Sequence, residues 1–133
     1  MHVCAAGCVA TWDVHTGRRE SRFASLHKDA KLTAMSFDAR QRRLLTAAAD
    51  GSILLCNFNT GTLLRRFKSD GPHKEITELL YLHDAKRELD MVYAAGWSHT
   101  VMVWEEHNAS VCTIVETEYV WACGHVARAL LSC

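Results

Sequence analysis

A chain of 133 residues has room for one ordinary domain with a real core, not for two. Its 49% hydrophobic content and single proline exclude an intrinsically disordered chain. Fifteen Lys and Arg balance fifteen Asp and Glu, so the formal net charge of +0 supplies no long-range field to gather nucleic acid or anionic lipid, and neither is expected as a partner.

No apolar run approaches the roughly 18 to 20 residues of a membrane span. His2 to Trp12 carries no charged lead into an apolar stretch, so an intracellular, cytoplasmic protein is expected. The six cysteines (Cys4, Cys8, Cys56, Cys112, Cys123 and Cys133) are scattered without a Cys-x-x-Cys pair. Reduced, mostly buried thiols are the expectation.

The chain repeats itself. Ala5 to Gly17 lies on Ala49 to Gly61 with a constant shift of 44: Gly7 meets Gly51, Thr16-Gly17 meets Thr60-Gly61, and beyond them Phe23 meets Phe67. Ser98 to Glu105 lies on Asp50 to Asn57 at a shift of 48.

Taken in chain order, Met1 stands inside a repeat, and a short hairpin leads from Gly7 to Trp12-Asp13. After the loop Ser25 to Lys31, the alternation of Leu32 to Phe37 predicts a strand, Asp38 to Arg43 a polar turn, and Leu44 to Ala48 a second strand. Asp50-Gly51 predicts a tight hairpin, since Gly tolerates positive φ and Asp can bond its own backbone. Ile53 to Phe58 is apolar nearly throughout, which places it between two other layers. Thr62 to Phe67, with Arg65-Arg66, suits an outer strand guarded against edge pairing. The loop Ser69 to Glu75 then leads into Ile76 to Glu106, a further repeat.

Four short strands per period, the third sandwiched, make the blade of a β-propeller. The expected fold is all-β: an incomplete β-propeller of about two four-stranded antiparallel blades plus partial strands at the ends. Blades are expected at about 1–24 (partial), 25–68 and 69–106, followed by a tail at 107–133. In the tail, Val111 to Val120 offers an outer strand, and Gly124-His125 opens another repeat with Val126 to Ser132 as its first strand; an unrelated appended sequence is the other reading.

From Val3 to about Glu106 these residues resemble a WD-repeat β-propeller protein. The signature is Trp12-Asp13 with Thr16-Gly17, the Asp50-Gly51 turn, and Trp104 followed by Glu105. In that family a His before the first strand, a Ser or Thr in the second, an Asp in the hairpin and a Trp in the third form a hydrogen-bonded tetrad. The resemblance implies His27, Thr46 and Asp50 for the middle repeat, with Cys56 in the place of the Trp. It implies His73 and Trp104 for the third, where Ala94 and Ser98 replace the hydroxyl and the acid. More narrowly, Asn57 to Gly61 and Ala94-Ala95-Gly96-Trp97 are similar to a subset that joins EF-hand and WD-repeat regions and is associated with cilia, although no EF-hand calcium loop is found in this chain.

The resemblance implies a fragment or short isoform of a larger propeller, acting as a non-enzymatic protein-protein interaction scaffold. It needs no cofactor, and it is completed by self-association or by further blades. A ciliary location is implied by the resemblance only. Trp97 and His99, at the tip between the second and third strands, are the candidate partner-binding residues; a ring folded over the hairpin is the plainer reading of Trp97.

The alternative class is a cysteine-based metal or redox thiol module, built on Cys4 and Cys8 with His2 and His15, or on Cys123, His125 and Cys133. The Cys4 and Cys8 spacing does not make the tight knuckle of a closed zinc site, the second group has no fourth ligand near, and no thiol is marked as activated. The basic pairs Arg18-Arg19, Arg42-Arg43 and Arg65-Arg66 recur with the repeat and read as a solvated rim.

Overall fold

A computed structural model describes residues 2–4, 8–23, 26–28, 30–68, 75–97, 100–110 and 112–116. These form three antiparallel sheets, with no helix among the described residues. The first sheet has three strands in the order β1 (His2–Cys4), β2 (Cys8–Trp12), β3 (Arg19–Phe23). The second has four in chain order: β4 (Leu32–Phe37), β5 (Arg43–Ala48), β6 (Ile53–Asn57) and β7 (Leu63–Phe67). In the third, β8 (Ile76–Asp84), β9 (Leu89–Gly96), β10 (Thr100–Glu105) and β11 (Thr113–Glu116) also follow chain order across the sheet. Its outermost strand, β11, thus comes from beyond residue 106, while the proposed opening of another repeat at Gly124-His125 lies outside the described residues.

The near-continuous apolar character of β5 and β6 has a direct cause. Leu45 stands opposite Leu55 and Ala47 opposite Ile53, and this set packs on Leu79, Val92, Ala94, Met102 and Trp104 of the third sheet. Leu44 points the other way, where it meets Val9 of β2 and Leu32, with Phe23, Phe37 and Phe58 around them. The second sheet is therefore covered on both faces, and each fully buried Leu or Ile contributes about 1.5–3 kcal/mol. The outer strand β7 carries Leu63 and Leu64 half exposed, and its register slips opposite Leu55 and Cys56, a bulge of the kind that discourages edge pairing.

The repeat is visible in hydrogen bonds as well as in letters. After β2, Asp13 Oδ1 accepts the backbone N–H of His15 and Thr16, and the N–H of Gly17 returns to the Asp13 carbonyl. After β6, Asn57 Oδ1 accepts the N–H of Asn59 and Thr60, and the N–H of Gly61 returns to the Asn57 carbonyl. Asp and Asn serve alike because only a side-chain oxygen two and three residues ahead of the N–H groups is needed. At Asp13 the two backbone donors hold the carboxyl below its ordinary range.

Candidate functional site

Two arrangements concentrate polar side chains on this all-β frame. The first is a relay at the entrance to the second sheet. His27, ahead of β4, is 5% exposed; its Nε2 lies 2.8 Å from Thr46 Oγ1 and its Nδ1 2.6 Å from Ser52 Oγ. Ser52 Oγ in turn lies 2.6 Å from Asp50 Oδ1, which also accepts the Ser52 backbone N–H at 2.9 Å. A carboxylate only accepts, so Ser52 donates to Asp50 and His27 Nδ1–H donates to Ser52; with the ring neutral, Nε2 then accepts from Thr46 Oγ1, whose other acceptor, the Leu54 carbonyl, lies farther off at 3.5 Å.

Burial holds the His27 ring below its ordinary value and so favours the neutral form that this relay requires. Burial pushes the Asp50 carboxyl upward, but the two bonds from Ser52 and the nearby His27 outweigh it, and the group sits below its ordinary range. Gly51, at φ 83°, turns the hairpin that carries Asp50 and Ser52.

Asp50 therefore reaches His27 through Ser52. That residue escapes a reading that looks for four fixed positions, although an Asp followed two residues later by Ser is the pattern of an Asx turn. Cys56, in the place of the tetrad Trp, is 1% exposed opposite Leu44, and burial pushes its thiol upward, away from the thiolate that redox or metal chemistry uses. Among the described residues no group of three His, Cys, Asp or Glu side chains could hold a metal ion.

The second arrangement lies at the joint between the second and third sheets. Trp104, 1% exposed, has Ala94 rather than a hydroxyl in its own sheet, and its Nε1–H donates to the Lys68 carbonyl at 2.7 Å. Its ring meets Phe67 edge-on, with centroids 5.7 Å apart. Beside it Glu106 Oε1 accepts from Arg43 Nη1 at 3.1 Å and from Arg65 Nε at 3.0 Å, while Arg65 Nη1 reaches the His107 carbonyl at 3.2 Å. The solvated-rim reading of the basic pairs needs correction here: Arg43 and Arg65, only 42% and 40% exposed, clamp one carboxylate that is itself 13% exposed. Adjacent sheets bring these groups together, which no local pattern in the sequence announces.

The remaining candidates lie apart. Trp12 stands at the end of β2, beside the bulge opposite Arg19. Asp13 holds its turn as described above. Trp97 follows Gly96 at the end of β9 and is 69% exposed. Gly96 packs so closely on the Glu75 carbonyl that a Cβ would collide with backbone, which fixes the strand end from which Trp97 projects. His73 and His99 lie outside the described residues.

No family model matches the chain. Over 101 residues it is similar to proteins named "WD repeat-containing protein on Y chromosome". The one from Drosophila ananassae is 32% identical across 70% of this chain and 9% of its own length. The one from Drosophila grimshawi is 31% identical across 70% of this chain and 8% of its own length. That of Drosophila pseudoobscura pseudoobscura is 29% identical, again across 70% of this chain and 9% of its own length. The chain thus spans less than a tenth of the length of these curated relatives, and the likeness supports a WD-repeat family for it.

Proposed function

We propose that the chain serves as a non-enzymatic protein-protein interaction scaffold, its three sheets being successive blades of a WD-repeat propeller. The observation that carries this reading is the second sheet, covered on both faces by its neighbours, in a chain similar to WD repeat-containing proteins. Propellers close with about four to eight blades, so further blades, from a longer protein or from another copy, complete the assembly. Trp97 and His99 supply partner contact at the blade tip; His27, Thr46 and Asp50 with Gly51, and His73 with Trp104, hold repeat positions. The partners are proteins rather than nucleic acid or membrane, and no cofactor takes part.

The narrower affiliation with proteins joining EF-hand and WD-repeat regions, and a cytoplasmic, ciliary location, belong to the same reading. They are supported by the Asn57 to Gly61 and Ala94 to Trp97 stretches alone.

Proximity labelling with the full chain and its Trp97→Ala variant tests the scaffold. A defined set of labelled proteins that the variant loses by fivefold or more, with stability unchanged, supports it. Identical labelling by both removes Trp97 as a contact, and labelling no different from that of an inert protein removes the scaffold.

A further inference from the structure

A polar cleft of about 360 Å³ opens between the second and third sheets, at the opposite end of β9 from Trp97. Asp38, Arg40 and Arg43 line it from the β4–β5 side, and Tyr81, His83 and Asp90 from the β8–β9 side. Its hydrogen-bond inventory is lopsided.

One oxygen of each carboxylate is already engaged within the chain. Asp38 Oδ1 takes the backbone N–H of Arg42 at 2.7 Å and of Arg43 at 3.0 Å. Asp90 Oδ1 takes the Nδ1–H of His83 at 2.8 Å, and Tyr81 lines the cleft beside the same carboxylate. The donors are not engaged to the same degree. Arg43 commits Nη1 to Glu106, and Arg40 has no ion-pair partner among the described residues, so most of the N–H groups of two guanidinium forks remain for a ligand. His83 adds one acceptor when its ring is neutral: with the proton on Nδ1 facing Asp90, Nε2 then carries a lone pair.

A ligand that complements this wall brings an oxyanion for the two arginines and an N–H for His83. We propose that the cleft is a docking site for an acidic residue of a partner peptide, its carboxylate received by Arg40 and Arg43 and its backbone N–H by His83. The proposal rests on the scaffold reading and names the chemistry of one partner segment. The charges of Arg40 and Arg43 offset those of Asp38 and Asp90, so recognition comes from charge-assisted bonds formed in place rather than from a field at a distance.

The test is a titration of the full chain at neutral pH with N-acetylglutamate N-methylamide and, separately, with sodium acetate, which has no N–H. The readout is the His83 ring resonances, in the native chain and in Arg40→Gln. The expected result is a saturable shift with the amide, weakened about tenfold in Arg40→Gln, with acetate binding several-fold more weakly. No saturable shift up to about 50 mM, or an equal response in Arg40→Gln, overturns the site. Acetate matching the amide overturns the peptide assignment. Failure of this titration while Trp97-dependent labelling persists removes the cleft alone; success of the titration with no labelled proteins removes the scaffold reading that the proposal serves.

Discussion

Trp104 and Lys68 hold each other across two sheets: the indole N–H donates to the Lys68 carbonyl at 2.7 Å, while the Lys68 N–H donates to the Ala109 carbonyl at 2.9 Å. Both polar groups of one peptide position are thereby satisfied from the third sheet, at the point where the chain leaves the second. Trp104→Phe keeps the edge contact with Phe67 and deletes the donor. It should destabilise the chain by about 1–2 kcal/mol, most of it from the unpaired carbonyl, and urea denaturation of the variant measures this. An unchanged midpoint would show that water takes the place of the indole.

Glu106 is held by two arginines, and replacing it with glutamine keeps an acceptor oxygen but removes the charge that both bonds share. Glu106→Gln should cost about 1–2 kcal/mol, above what an exposed pair gives, because the carboxylate is 13% exposed while the arginines are partly solvated. A double-mutant cycle with Arg65→Met should return a coupling energy of at least about 0.5 kcal/mol. Strict additivity would show that the clamp contributes nothing.

His27 gives the stability a pH dependence of definite sign. Burial lowers its folded-state value below the ordinary 6.5, so the unfolded chain binds a proton more readily than the folded one. This contribution is complete above 6.5 and is lost as pH falls from there through the depressed folded value. Thermal melts between pH 7.5 and 5 should show His27→Gln, although less stable at neutral pH, losing less stability on acidification than the native chain. Parallel losses would mean that other histidines carry the effect.

The double coverage of β6 predicts a sharp contrast between neighbouring strands. Leu55 is fully buried against the third sheet, whereas Leu63 on β7 is 46% exposed. Leu55→Asp places an unpaired charge between layers and should abolish cooperative unfolding; Leu63→Asp should change stability by no more than about 1 kcal/mol. Circular dichroism with thermal melts distinguishes the two, and a folded Leu55→Asp variant would show that β6 is not central.

Much of the second sheet was legible in the letters. Alternation in Leu32–Phe37, the Asp50-Gly51 turn and the apolar run from Ile53 each report a local requirement, and the strands fall within a residue or two of those expectations. What could not be read is whatever depends on the distance between layers. Ser52 as the bridge from Asp50 to His27, Lys68 as the partner of Trp104, and Glu106 as the meeting point of Arg43 and Arg65 all join residues that only packing brings together. The recurrent arginine pairs looked like rim because periodicity reports the strand a residue occupies, not what the next sheet places opposite it.

The position just after the third strand carries one more consequence. Phe58 follows Asn57 and rests edge-on against Phe37 and against Phe23 of the first sheet. Glu106 follows Glu105 at the matching place and grips Arg43 and Arg65 of the second. The N–H groups of the two residues make corresponding bonds, to the Arg42 and Asp90 carbonyls. One joint is greasy and the other ionic, on the same backbone. Exchanging the units would drive a carboxylate into a nest of phenyl rings and strand two guanidinium groups against an aromatic, so each seam accepts one neighbour and refuses the other. Serial order, which identical modules would leave undefined, is written into the mortar rather than the bricks.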